Sequence, residues 1–203
     1  HLENSINSWK ALISDRTFLL PLLNGVKHYQ ILSERFGKEK VLGGLAHIVA
    51  TLDDIGHISH TSQVDKITFG ALHRKHEPIC EALAKWTSQA NIQSALSDNI
   101  NEAIWEKYMF ITAFSGVTTA SDVTTGPIRE VGATKDIFIQ LLGEMKAIAN
   151  AEGVSLTDKH TETAWKTMEV LPGESTSSMH QDFRKRLPIE VDYLQGFALQ
   201  LAQ

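Results

Sequence analysis

Cysteine is nearly absent from this chain. Cys80 stands alone, which excludes an internal disulfide framework and makes a reducing compartment such as the cytoplasm the expected setting. Positive charge is also short: 19 Lys and Arg against 24 Asp and Glu leave a formal net charge of −5. A nucleic-acid partner would need clustered cations, so none is expected. No apolar run is long enough to cross a bilayer, since the longest uncharged stretch covers only 108–121, and no secretory leader is read at the start. Metal-ligand spacing is missing too. Among nine histidines, His57 and His60 lie in a strand-like stretch that points them to opposite faces, and His73 and His76 enclose two cations. No metal centre is expected. What is present is the composition of a globular protein, with 42% hydrophobic and 21% charged residues in 203, enough for one or two domains.

The stretch 96–119 organises the rest. Asn99 and Glu102 have capping-box spacing at a helix start. Ile100, Ile104, Ile111 and Phe114 then share one helical face, and Lys107 falls on the same face. From 103 to 117 only Glu106 and Lys107 are charged, so this helix is expected to be buried on most sides. An ammonium on such a stripe either snorkels out at an edge or sits desolvated with a lowered pKa suited to proton transfer.

Before it, 1–13 has a helical period. The run 17–23 (TFLLPLL) reads as a buried parallel strand, Asn24-Gly25 as a turn, and 26–36 as a helix stopped by Gly37, together a βα unit. Residues 40–51 read as a strand, 53–56 as turn residues, 56–61 (GHISHT) as the returning strand of a hairpin, and 67–69 as one more short strand. After Gly70 the pattern is helical: 77–90, the central helix, 134–151 on a face of Ile137, Leu141, Met145 and Ile148, 160–171, 177–185, and 188–202. A boundary is expected near 90–97. The opening helix and strand look like the end of a larger sheet, because so small a layer leaves an edge open.

Polarity breaks the pattern at further places. Glu190 takes the first slot of a stripe continued by Leu194, Phe197 and Leu201, where it either complements a helix dipole or faces a cleft opposite Lys107. Ser178, with Gln181, has capping-box spacing in the cluster 175–178, and hydroxyls there also suit a carboxylate. Asn24 is a turn residue, or a polar group at the carboxyl end of a parallel strand.

Eight segments in order resemble the ketopantoate reductase (2-dehydropantoate 2-reductase) family: Leu22-Leu23-Asn24-Gly25-Val26, Leu42-Gly43-Gly44, Gly56-His57-Ile58-Ser59-His60, Ile67-Thr68-Phe69-Gly70, Leu96-Ser97-Asp98-Asn99-Ile100, Trp105-Glu106-Lys107, Ser177-Ser178-Met179 and Ile189-Glu190-Val191-Asp192-Tyr193. The resemblance implies the last part of a Rossmann-type dinucleotide-binding domain over 1–95. An all-α substrate domain, similar to the C-terminal domain of 6-phosphogluconate dehydrogenase, would follow over 96–203. The family's G-x-G-x-x-G turn occurs nowhere in this chain. The implied reaction is NADPH-dependent reduction of a 2-oxo acid, ketopantoate to pantoate, in pantothenate biosynthesis. By resemblance Lys107 is the general acid and Glu190 binds substrate hydroxyl and cofactor. Ser178 grips the substrate carboxylate, and Asn24 contacts nicotinamide ribose and substrate. Ile111 and Ser115 stand where the family often has asparagines, so Ser115 is a substrate-facing candidate and a different 2-oxo acid becomes an alternative. A further alternative is a helical dimerisation or binding module without chemistry. The isolated chain is expected to be inactive and to bind NADPH poorly, and the oligomeric state is left open, a homodimer being one option.

Overall fold

The computed structural model describes residues 2–54, 56–60 and 65–203. The chain divides into two compact units, His1–Leu23 with His28–Asn101, and Asn24–Lys27 with Glu102–Gln203. The Asn24–Lys27 segment thus groups with the helical residues and not with its chain neighbours.

The first unit opens with α1 (Leu2–Trp9) and a 3-10 turn (Lys10–Leu12), followed by most of α2 (Lys27–Phe36). Gly37, at φ +92°, ends α2 as expected, since a left-handed stop suits a residue without Cβ. Ile6, Leu32 and Val41 form the core here, with Trp9 stacked on Phe36 at 5.4 Å between ring centroids. The run 17–23 is not the buried strand expected. Only Leu19 pairs, in one parallel bridge to Val41, and Leu23 is 48% exposed. Pro21 has no N–H to continue a ladder, so the pairing stops at a single bridge.

The strand expected over 40–51 divides in two. β1 (Gly43–His47) and β2 (Ala50–Asp54) belong to different sheets. β1 runs antiparallel to β4 (Lys66–Gly70), from Gly43 opposite Gly70 to His47 opposite Lys66. β2 forms the anticipated hairpin with β3 (His57–His60), whose expected turn and end include Ile55 and Thr61, outside the described residues. A strand unread in the sequence, β5 (Ser94–Leu96), pairs parallel with β4 after α3 (Glu77–Gln89). The three-stranded order is therefore β1-β4-β5. Gly43 and Gly70 let Ile100 approach this sheet: a Cβ on Gly43 would lie 2.7 Å from Ile100 Cγ2, and one on Gly70 2.8 Å from Ile100 Cβ. Leu42, Phe69 and Cys80 close a second core cluster.

The second unit is helical. α4 (Ile100–Ser121) starts in the first unit and continues as its longest element, with α5 (Thr125–Glu130), α6 (Gly132–Ala151), α7 (Asp158–Val170), α8 (Ser178–Arg184) and α9 (Gln195–Leu201) following. No residue from 102 to 119 is exposed, the envelopment that the sparse charge predicted. Two expectations shift. The buried face of α6 is Phe138, Leu142, Met145 and Ala149, one residue beyond the face expected, and Ile137 is 49% exposed. The aromatic ring of Phe138 buries more apolar area than Ile137 can, and its edge meets Phe110 at 6.2 Å. The last helix begins at Gln195 instead of 188, because the backbone turns first: Glu190 O accepts from Tyr193 N (2.9 Å) and Leu194 N (3.0 Å).

Candidate active site

Lys107 lies on α4, half-buried, one residue before Tyr108, whose side chain is enclosed. Burial lowers the Lys107 pKa below its ordinary value, and the negative charge of Glu190 pulls it back up. The two expected partners therefore feel each other within the helical unit. Glu190 itself is exposed and sits in the turn before α9, so it does not serve a helix dipole as a first-turn residue would.

Tyr108 fixes that turn. Its hydroxyl donates to Leu194 O at 2.6 Å, and burial raises its pKa well above the ordinary value, so it stays a neutral donor. The Asn24-Gly25 corner reaches the same place. Gly25 takes φ +81°, and a Cβ there would stand 3.2 Å from Leu194 Cδ2 and 3.4 Å from Tyr193 O. Asn24 is exposed, and its side chain makes no hydrogen bond among the described residues. Gly25, beside Asn24, and Tyr108, beside Lys107, thus both meet the Tyr193–Leu194 segment that follows Glu190.

Ser115 stands further along α4, and Ser178 opens α8. Ser115 is buried, and its Oγ accepts from Gln195 Nε2 at 2.9 Å while the same nitrogen donates to Thr112 O at 2.8 Å. Ser178 is exposed at the start of α8. The cap is its neighbour, one residue earlier than the spacing suggested: Ser177 Oγ accepts from His180 N at 3.1 Å and bonds Thr118 Oγ1 at 2.8 Å. Thr118 lies eleven residues beyond Lys107, or roughly 16 Å along a helix axis.

Sequence reasoning missed two features. Gln195 is one, an amide beside Ser115 whose Oε1 is buried with no partner among the described residues. The other is His180, fully buried between Thr176 Oγ1 (2.5 Å from Nδ1) and Asp122 Oδ1 (2.7 Å from Nε2). Asp122 adopts φ +49° and also accepts from Arg184 Nε at 2.8 Å; the His180 and Arg184 hydrogen bonds hold its carboxyl below the usual range. Sequence spacing gives no hint of the Ser115–Gln195 and Asp122–His180 pairs, whose members lie far apart in the chain.

An amine under the pull of a carboxylate can supply a proton and bind a hydroxyl, two things that carbonyl reduction needs. Comparison with known proteins agrees with that class. Residues 99–203 match the family described as ketopantoate reductase PanE/ApbA C terminal, and residues 1–74 match ketopantoate reductase PanE/ApbA. The chain belongs to the ketopantoate reductase family. Among its relatives, YkpB of Bacillus subtilis (strain 168), named an uncharacterized oxidoreductase, is 33% identical over 202 residues, covering 100% of this chain and 67% of that protein. The 2-dehydropantoate 2-reductase of Lactococcus lactis subsp. lactis (strain IL1403) is 25% identical over 200 residues, covering 96% of this chain and 63% of its own length. The chain thus spans about two thirds or less of these relatives. Among solved structures, D-mandelate dehydrogenase with NADH and anilino(oxo)acetate aligns with TM-score 0.88 at 22% identity, over 98% of this chain and 65% of that one. The 2-dehydropantoate 2-reductase of Geobacter metallireducens GS-15 aligns with TM-score 0.87 at 23% identity, over 98% and 67%. The fold is part of a Rossmann-type α/β layer followed by a helical domain.

Proposed function

We propose that this chain carries the catalytic part of an NADPH-dependent 2-oxo acid reductase whose substrate is ketopantoate. The observation that carries the reading is Lys107, desolvated yet under the pull of Glu190, one residue before Tyr108, whose ring meets Gly25 next to Asn24. In this reading 1–95 completes a nucleotide-binding domain and 96–203 is the substrate domain. The protein works in the cytoplasm, in keeping with its lone cysteine, Cys80.

Part of the chain suits a nicotinamide cofactor. The open amide of Asn24 and the exposed carboxylate of Glu190 can meet ribose hydroxyls. A Gly-rich phosphate cradle is not among these 203 residues, so tight NADPH binding is assigned to a polypeptide that supplies one. When bound, NADPH supplies a hydride. Lys107, as the ammonium, hydrogen-bonds the ketone oxygen and gives it the proton that the new hydroxyl requires. Glu190 keeps that amine charged and accepts a hydrogen bond from the product hydroxyl. Ser178, whose hydroxyl makes no hydrogen bond among the described residues, binds the substrate carboxylate, and Ser115 lines the site through its bond to Gln195.

The test is Lys107→Ala in the full natural polypeptide, followed by NADPH oxidation with ketopantoate. Collapse of turnover is expected; unchanged turnover refutes the assignment of Lys107, whereas a natural polypeptide that turns over no 2-oxo acid is a non-catalytic module. Titration calorimetry of the 203-residue chain should show weak NADPH binding, and tight binding would refute the missing-cradle argument.

One observation favours a second reading, reduction of a different 2-oxo acid. Ile111 and Ser115 stand where the family often has asparagines, the Ser115 hydroxyl is engaged by Gln195, and a D-mandelate dehydrogenase shares the fold. The aryl 2-oxo acid that corresponds to mandelate, assayed beside ketopantoate, decides between them by the ratio of kcat/KM. One structural neighbour is a dimeric ketopantoate reductase from Staphylococcus aureus, and a homodimer is proposed here too, to be checked by light scattering.

A further inference from the structure

The Asn24 side chain has no hydrogen bond among the described residues to hold it, so its place depends on its neighbours. One neighbour has a contact that the proposed chemistry does not use. Lys27, three residues on, sets its Nζ over the ring of Tyr193 at 5.1 Å from the centroid and over Phe197 at 5.6 Å. Both distances fall within the roughly 6 Å over which an aromatic face attracts a cation. Tyr193 closes the turn at Glu190 through its N–H, and Phe197 is buried in α9. The Asn24–Lys27 segment is therefore tied to the Glu190 turn at two points, the bare Cα of Gly25 packed on Leu194 and the ammonium of Lys27 across two rings.

We infer that Lys27 is a positioning residue: its ammonium, clamped on Tyr193 and Phe197, holds the corner that presents Asn24 beside Glu190. This rests on the reading of Asn24 and Glu190 as site residues, and it adds how their spacing is kept. A cation is needed, not merely length. Methionine would keep an apolar side chain of similar reach and lose the attraction, whereas arginine keeps a charge that stacks on aromatic faces.

The experiment pairs Lys27→Met with Lys27→Arg in the full natural polypeptide, with amide hydrogen exchange in the absence of ligand as the first readout. Exchange over 25–28 and 193–197 is expected to speed up about fivefold in Lys27→Met and to stay near the natural rate in Lys27→Arg, the size expected for one lost cation–π contact. The second readout is steady-state kinetics, where KM for the 2-oxo acid rises by a similar factor while kcat stays within about twofold. Unchanged exchange in Lys27→Met overturns the clamp, and so does failure of arginine to restore it. Asn24→Ala separates the two levels. If it leaves KM unchanged, Asn24 is not a site residue and the positioning role falls with it. If it raises KM while Lys27→Met does not, the site stands and the clamp alone is wrong.

Discussion

His76 in the α/β unit and Lys107 in the helical unit are both basic groups whose pKa is lowered chiefly by burial. Their surroundings differ in kind. His76 is fully enclosed; its Nε2–H donates to Glu39 O at 3.0 Å, its Nδ1 has no partner among the described residues, and His73 adds repulsion. Lys107 is only half-buried, and the group pulling on it is an exposed carboxylate. A backbone carbonyl fixes a tautomer and seals an interior. A carboxylate open to solvent leaves the amine able to exchange a proton with something that arrives. Burial moves a pKa in both places, but access separates a structural base from a reactive one. Tyr29 in the α/β unit bonds both backbone groups of Gly44, at 2.6 and 3.0 Å, and burial pushes its pKa up to about 12. In the helical unit, hydroxyls and amides join side chain to side chain, as in Thr118 with Ser177 and Gln195 with Ser115.

Exchange of roles would break this comparison most directly. Lys107→Ala should lower kcat by about 10²- to 10⁴-fold, the size of a lost proton donor. His76→Phe in the same polypeptide should leave kcat within about twofold. Equal losses in steady-state assays would mean that access is irrelevant.

Stability should rank the two the other way. His76→Ala opens a cavity and strips Glu39 O of its donor, a cost of roughly 2–4 kcal/mol in urea unfolding. Lys107→Met removes a partly desolvated charge and keeps the apolar stem, so its effect should lie within about 1 kcal/mol and on the stabilising side. A large loss from Lys107→Met would make the lysine structural.

The residues on which this contrast turns were unequally legible in the sequence. Lys107 announced itself, because a charge inside an apolar helical period is visible in one dimension. Glu190 did as well, although its helix did not: the stripe through Leu194 and Phe197 is real, but the Glu190 carbonyl caps a turn that delays α9 to Gln195. His76 was read only as one of two histidines that enclose a pair of cations, and nothing local says that the chain folds Glu39 over it from 37 positions away. Gln195 and Ser115 are 80 apart, and Asp122 and His180 58 apart, so these bonds exist only once α4 is packed. Periodicity found the helix at 134–151 but chose Ile137 over Phe138, because period alone cannot weigh side-chain volume. β5 escaped notice as three residues whose ladder partner lies in β4.

The pH dependence of stability sharpens the comparison further, since the two groups act in different windows. His76 has a folded pKa below its ordinary 6.5, so between those values the unfolded chain holds a proton that the fold has released. Its contribution is complete above 6.5 and is lost as pH falls through that window. Lys107 has a folded pKa below its ordinary 10.5, and by the same sign stability rises with pH from the lowered value up to 10.5. Unfolding free energies of the natural chain minus those of His76→Phe should slope upward only on the acid side. The difference for Lys107→Met should slope upward only on the alkaline side. A slope of opposite sign in either window would contradict the burial argument.

The smallest expected effect tests whether Glu190 is the group that keeps Lys107 usable. Desolvation favours the neutral amine and the carboxylate favours the charged one, so the working pKa is their compromise. A general acid must carry its proton, so turnover falls as pH rises through that value. Glu190→Gln removes the negative charge, keeps the shape, and leaves desolvation unopposed, which moves the alkaline limb of the kcat profile to lower pH. Glu190→Asp retains the charge on a shorter arm, and its limb should fall between the other two. Should all three limbs coincide, the carboxylate would act only by hydrogen bonding to substrate, and the charge of Lys107 would be set by burial alone.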